Sequence, residues 1–370
     1  MNLADTPEEA AFRAELREWL ASNRAEDESS DPYRRRWSRR LHEAGYAGLT
    51  WPKEYGGTGA SYSFQAILYE EMAAAQAPPH IGVVGLGMAG PTIIAHGSEE
   101  QKARYLQPLL AAEEIWCQGF SEPEAGSDLA AVRTRAERRG DAYVVNGQKV
   151  WSSYAHISDF CILVTQSDPE APRYRNLTYL IVDMHAPGVE VRPLRQITGE
   201  PEFNEIFFDD VEVPVENRLG DEGDGWNVAM TTLLHERGTL GFALTATLDA
   251  GVKRLLEIAR DTDDASLRER VAREWIELQA LRYTNYRSLG TYQRTGIPGP
   301  EGSGVKLRWS EANQRMTKLA REVRGVEGIL DDGWWNHQQL RSRGNTIEAG
   351  TSEVLRNIIA ERVLGLPRSR

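Results

Sequence analysis

The hydrophobic period of this chain changes twice, from helical to strand-like near residue 113 and back to helical near residue 220. A helix repeats its buried face every ~3.6 residues and a strand every ~2, so one element cannot satisfy both patterns. Thr6-Pro7-Glu8-Glu9 is a capping box with proline in the first turn, and Phe12, Leu16, Trp19 and Leu20 follow at helical spacing. The chain therefore opens in helix. Helical patterning continues over 63–75 and 98–112, broken at Trp51-Pro52 and Tyr55-Gly56-Gly57. In the middle stretch, 142–145 and 149–151 flank Asn146-Gly147, which reads as a two-residue hairpin loop, and 160–165, 177–182 and 206–213 read as further strands. Beyond Gly220, Leu267, Val271, Trp275, Leu278 and Leu281 recur every three or four residues. Leu319, Val323 and Leu330 belong to another helix, and a Pro- and Gly-rich loop over 295–304 separates the two. The pattern predicts an α+β chain in three parts: an N-terminal helical domain over 1–112, a middle antiparallel β domain over 113–220 and a C-terminal helical domain over 221–370.

Composition narrows the partners. A chain of 370 residues, 41% hydrophobic, can bury more than one sizeable core. Its net charge of −12 disfavours nucleic acid and anionic membrane as general partners, so a small anionic ligand would need local basic groups. No stretch approaches the roughly 18 apolar residues of a membrane span, and the first residues lack the basic start and apolar run of a secretion signal. Cys117 and Cys161 sit in apolar surroundings without metal-ligand spacing, which predicts a buried reduced pair and a cytoplasmic protein. The histidines show no metal spacing either, and no Ser-His-Asp set can be assembled. Gly85-Leu86-Gly87-Met88-Ala89-Gly90 matches the dinucleotide fingerprint by letter, yet Pro91 follows at once and no β-α-β unit surrounds it. Close helix packing through small residues is the better account.

Two segments carry chemistry. Gln118-Gly119-Phe120-Ser121-Glu122-Pro123-Glu124-Ala125-Gly126-Ser127-Asp128 is a Gly-Pro-Ser loop after a strand-like run, whose N–H groups and hydroxyls could bond a planar heterocycle or a carbonyl, or form an ordinary turn. Gly350-Thr351-Ser352-Glu353 precedes the apolar-periodic Val354, Leu355, Ile358 and Ile359, so it reads as a helix start capped by Thr351, a place that attracts polar cofactor atoms. Together with the helical, β, helical order, these motifs resemble the acyl-CoA dehydrogenase family, and the resemblance covers essentially the whole chain. It implies that family's fold, closed by a C-terminal four-helix bundle, and the FAD-dependent α,β-dehydrogenation of an acyl-CoA thioester, with electrons passed to an electron-transfer flavoprotein. By the same resemblance Gln118, Phe120, Ser121, Trp151 and Ser153 contact the flavin, Thr351 and Glu353 the FAD, and Ser127 and Arg237 the substrate.

Desaturating a thioester requires a carboxylate facing the α-carbon, opposite the hydride acceptor and shielded from water. Many family members place this glutamate directly before Gly-Thr in the terminal motif, where this chain has Ala349. Glu348 lies one residue upstream. Glu236 opens a long helix immediately before Arg237, and a subset of the family carries its base there, so Glu236 is the expected base and Glu348 the alternative. A second departure concerns assembly. Homotetrameric relatives carry an Arg-x-x-Phe-Gly stretch that completes a neighbour's FAD site; 257–277 has no such stretch, and Arg260 is at most a remnant. The resemblance then implies an α2β2 hetero-oligomer with a related chain, acting on a bulky or steroid side-chain acyl-CoA, with fatty acyl-CoA as the alternative. A non-catalytic FAD-binding partner subunit and a flavin oxidase or monooxygenase are the other readings.

Overall fold

The computed structural model describes residues 4–23, 30–295, 299–330 and 333–368, apart from the side chains of 237–240 and 295. In chain order these form α1 (Pro7–Ser22), α2 (Asp31–Glu43), α3 (Tyr62–Ala74), α4 (Gly90–His96) and α5 (Glu99–Leu110). Strands β1 (Trp116–Gly119), β2 (Arg135–Arg139), β3 (Ala142–Ser153), β4 (Phe160–Gln166), β5 (Leu177–Asp183), β6 (Val189–Leu194), β7 (Phe203–Pro214) and β8 (Arg218–Leu219) follow. The chain then runs through α6 (Gly225–Ile258), α7 (Ala265–Thr295), α8 (Gly302–Arg324), α9 (Glu327–Leu330), α10 (Trp334–Arg341) and α11 (Ser352–Ile358). It divides into two compact units, one of residues 26–60 and 78–236, the other of 1–25, 61–77 and 237–370.

The first unit is built on one sheet in the order β6-β7-β3-β2-β4-β5-β8, with β1 also pairing β4. Most pairings are antiparallel, but β1 and β2 both run parallel to β4, so the expected antiparallel domain is a mixed sheet. Asn146-Gly147 does not form the expected hairpin loop. It lies inside β3, where the register against β7 shifts between Val145 and Gly147, and the β2–β3 reversal falls at Gly140-Asp141 instead. Gly147, at φ +150°, passes so close to Thr134 that a Cβ would stand 2.7 Å from its Cα. The conformational freedom of Asn-Gly thus serves a bulge as readily as a turn. Cys117 and Cys161 face each other in register on β1 and β4, both buried and reduced.

Gly85–Ala89 is a π-helical turn running straight into α4 rather than a dinucleotide loop. Proline at position 91 supplies no N–H to the preceding turn, and a π-bulge is one way a helix absorbs that loss. A Cβ on Gly90 would stand 2.1 Å from the Trp51 ring, and one on Gly85 would stand 2.9 Å from Leu109, so these glycines permit close packing.

In the second unit α1 begins with the expected capping box: Glu9 N–H donates to Thr6 Oγ1 at 3.2 Å, and Thr6 N–H to Glu9 Oε2 at 2.8 Å. Three long helices, α6 to α8, share a core through Leu248, Val252, Leu278, Leu281, Val305 and Met316, and the short α10 and α11 complete the bundle against α8. Two details differ from the sequence reading. Leu330 belongs to α9, not to α8, because α8 stops at Gly325 with φ +59°. Trp275, expected in the α7 core stripe, is 48% exposed and lines a cavity of about 470 Å³ in which Arg13, Glu70, Glu71 and Arg282 also meet.

Candidate active site

The Ser121 loop leaves the sheet at the end of β1. Gln118 is half-buried in that strand, and the Phe120 ring is buried edge-on to Tyr179 at 5.8 Å. Glu122 and Ala125 exchange main-chain hydrogen bonds of 2.9 and 3.1 Å, which folds the loop on itself and leaves Ser121 half-buried and Ser127 exposed. Two residues that sequence reasoning missed hold it in place. The Glu122 carboxylate accepts from the N–H groups of Arg133 at 2.7 Å and Thr134 at 2.8 Å and from Lys149 Nζ at 2.8 Å. Burial acts to raise the Glu122 pKa, but the lysine charge and these donors together carry it below the usual value. Lys149 itself is completely buried, and burial pulls its pKa down to about 8 against the pull of Glu122. Its signal was present in the sequence: Lys149 falls on the inward parity set by Tyr143 and Val145.

Trp151 follows in β3 at a second register shift, between Lys149 and Ser152. Its φ is +62°, a left-handed conformation that a bulky residue adopts only when its surroundings enforce it, and the residue is 61% exposed. Phe203 supports it edge-on at 6.0 Å. Val150 N–H donates to the Ser121 carbonyl at 2.9 Å, so the Ser121 loop is held against the strand that carries Trp151 and the half-buried Ser153. Between them the Ser152 hydroxyl is buried with no partner among the described residues. An exposed tryptophan beside the half-buried Ser121 and Ser153 fits a planar heterocycle of the flavin type.

The terminal motif lies in the other unit. Thr351 caps α11 as expected, its Oγ1 accepting from Val354 N–H at 3.2 Å, and Glu353 is exposed in the first turn. Ala349 and Gly350 both take positive φ, +49° and +91°. Lys306 holds this turn shut from α8, its Nζ donating to the carbonyls of Asn345 and Gly350 at 2.8 Å each. Glu348 is committed locally: it accepts from Arg341 Nη2 at 2.9 Å and from Asn345 Nδ2 at 2.6 Å. Glu236 is half-buried in α6, four residues after Thr232, whose hydroxyl meets Thr92 and Tyr179 at 2.9 Å each in a buried trio. The side chain of Arg237 lies outside the described residues. Burial lowers the pKa of the preceding His235, and the charge of His96 adds to the shift. No cluster able to hold a metal ion occurs among the described residues, and no described helix is long and apolar enough to cross a membrane.

Three family models match in succession: the acyl-CoA dehydrogenase N-terminal domain over 6–113, the middle domain over 117–211 and the C-terminal domain over 223–364. The chain is 42% identical to acyl-CoA dehydrogenase IpdE1 of Mycobacterium tuberculosis over 378 aligned positions, covering 96% of this chain and 97% of that one. Among solved structures it matches the Tcur3481-Tcur3483 steroid ACAD with a TM-score of 0.88 at 29% identity, over 100% of both chains. The ChsE4-ChsE5 complex from Mycobacterium tuberculosis matches with a TM-score of 0.88 at 32% identity, again over 100% of both chains. Matched from end to end by sequence and by structure, this chain belongs to the acyl-CoA dehydrogenase family, flavoprotein oxidoreductases acting on CH–CH bonds.

Proposed function

We propose that this chain binds FAD and desaturates an acyl-CoA thioester between its α and β carbons, with Glu236 removing the α-proton. The observation that carries the reading is Trp151, an exposed residue on a strained backbone, fixed beside the Ser121 loop in a chain of this family. FAD, when bound, supplies the hydride acceptor. On this reading Gln118, the Phe120 main chain, Ser121, Trp151 and Ser153 orient the flavin ring, Thr351 and Glu353 at the start of α11 hold the rest of the cofactor, and Ser127 and Arg237 hold the thioester. Residues 1–112, 113–220 and 221–370 act as the three functional divisions.

Glu236 is favoured as base over Glu348 because Ala349 stands where many family members place theirs, and Glu236 directly precedes Arg237, as the base does in a subset of the family. Positioned general-base catalysis contributes about 10² to 10⁴ in rate. Glu236→Gln is therefore expected to slow flavin reduction by substrate by at least that lower factor in anaerobic stopped flow, while Glu348→Gln slows it far less. A larger loss in Glu348→Gln would reverse the assignment.

The substrate class proposed is a bulky or steroid side-chain acyl-CoA, supported by the likeness to a structure described as a steroid ACAD. Partner chains are proposed on the same ground, since two of the matched structures are named as pairs or complexes of unlike chains. An electron-transfer flavoprotein is the proposed acceptor. A second reading, in which the chain is the non-catalytic half of such a complex, is favoured by the missing Arg-x-x-Phe-Gly stretch over 257–277. Under it, Glu236→Gln in the assembled complex leaves the reduction rate unchanged.

A further inference from the structure

One buried ion pair ties together the two stretches assigned above to the flavin face, and the inference drawn from it rests on that assignment. Lys149 Nζ donates to the Phe120 carbonyl at 3.0 Å and to Glu122 Oε1 at 2.8 Å. The next residue, Val150, donates its N–H to the Ser121 carbonyl at 2.9 Å. Three consecutive residues after β1 are thus each gripped by the two residues that precede Trp151. Glu122 completes the grip from the far side, because its carboxylate also accepts the N–H groups of Arg133 and Thr134.

Sheet stability does not call for a lysine here. Lys149 is surrounded by the apolar β1, β3 and β4 layer, where a Cβ added to Gly119 would meet Leu163 and Cys161, and a well-packed apolar side chain would fill the same volume without desolvating a charge. What an ammonium adds is direction: its donors fix where the Phe120 carbonyl and the Glu122 carboxylate must lie. The strained φ of Trp151 shows the same over-determination, since a left-handed tryptophan persists only where its neighbours leave no alternative.

We propose that Lys149, with Glu122 as its counter-ion, is a positioning residue that sets the register of Ser121 against Trp151, and that the affinity of the chain for FAD depends on it. The test uses the full-length chain with FAD as the probe. Lys149→Met alone leaves Glu122 buried beside no cation and can fail to fold, so the decisive variant is Glu122→Gln with Lys149→Met, which removes both charges at nearly constant volume. Val145→Ala, a buried truncation in the same strand, is the stability control. The double variant is expected to raise the FAD dissociation constant about tenfold or more, the loss of one charge-assisted hydrogen bond, and to speed amide exchange over 119–123 and 149–153. Val145→Ala is expected to lower Tm while leaving FAD affinity within about twofold, since it removes packing without touching the clamp. Unchanged FAD affinity in the double variant overturns the proposal even if exchange quickens, because the pair is then merely structural. If the unmodified chain takes up no FAD in any assembly, the proposed function falls instead. Exchange then judges only whether the pair orders these two segments, and unaltered rates in both overturn that as well.

Discussion

Burial keeps His80 neutral well below the pH at which a free imidazole takes up its proton. Its Nδ1 accepts the Gly82 N–H at 3.0 Å while its Nε2 faces the Leu110 carbonyl at 3.3 Å, and only a neutral ring with its proton on Nε2 satisfies both. Burial lowers its pKa to about 4, with the Leu110 carbonyl opposing and the charge of His42 assisting. Unfolded, the same ring titrates near 6.5. Between those values the unfolded chain binds a proton that the folded chain refuses, so the contribution is complete above about pH 6.5 and is lost as pH falls toward about 4, by up to about 3 kcal/mol. Urea unfolding from pH 7 to 4.5 is expected to show that slope in the parent chain and a shallower one in His80→Gln; equal slopes would refute the account. Single residues were unevenly legible in the sequence. The Thr351 cap followed from local chemistry, whereas the grip of Lys149 on Phe120 and Glu122 depends on which segments the sheet brings beside β3, which no local pattern encodes.

Elements were legible where periodicity runs long. The helices around 63–75 and 98–112 and the strands near 160, 177 and 206 fall within a few residues of where they were expected, because each alternation is set by a buried face. Asn146-Gly147 and the Gly85 to Gly90 run misled or tempted for a common reason: glycine reports that a backbone needs room without saying for what. At Gly90 the room is for Trp51. Gly90→Ala places a methyl where the indole lies, an overpacking that typically costs about 1–3 kcal/mol. A drop in Tm is the expected outcome, and an unchanged Tm would mean that the Trp51 ring can move aside freely. The α7 stripe carries the complementary lesson. Helical spacing correctly placed Trp275 on the face of Leu278, yet a cavity lies over it, and cavities belong to tertiary packing.

At the level of the whole chain, the order of its three parts and its two separated motifs were enough to indicate the family, because each motif has a physical reason to sit where it does. The assembly is a prediction still. If 257–277 lacks what a neighbour's cofactor needs, the chain purified alone is expected to carry less than one FAD per protomer, and co-expression with its related partner should bring the ratio to the level the complex supports. Light scattering with a flavin-to-protein ratio checks this, and a saturated homotetramer would refute it. The two buried lysines have a separate consequence. Of six lysines in the chain, Lys149 and Lys306 are 0% and 3% exposed, and one lies in each compact unit. Amine-reactive labels that decorate the exposed Lys53, Lys253 and Lys318 in the native protein will leave these two untouched, so any label found at 149 or 306 marks the opening of that unit, and the molecule carries a separate tamper seal for each half.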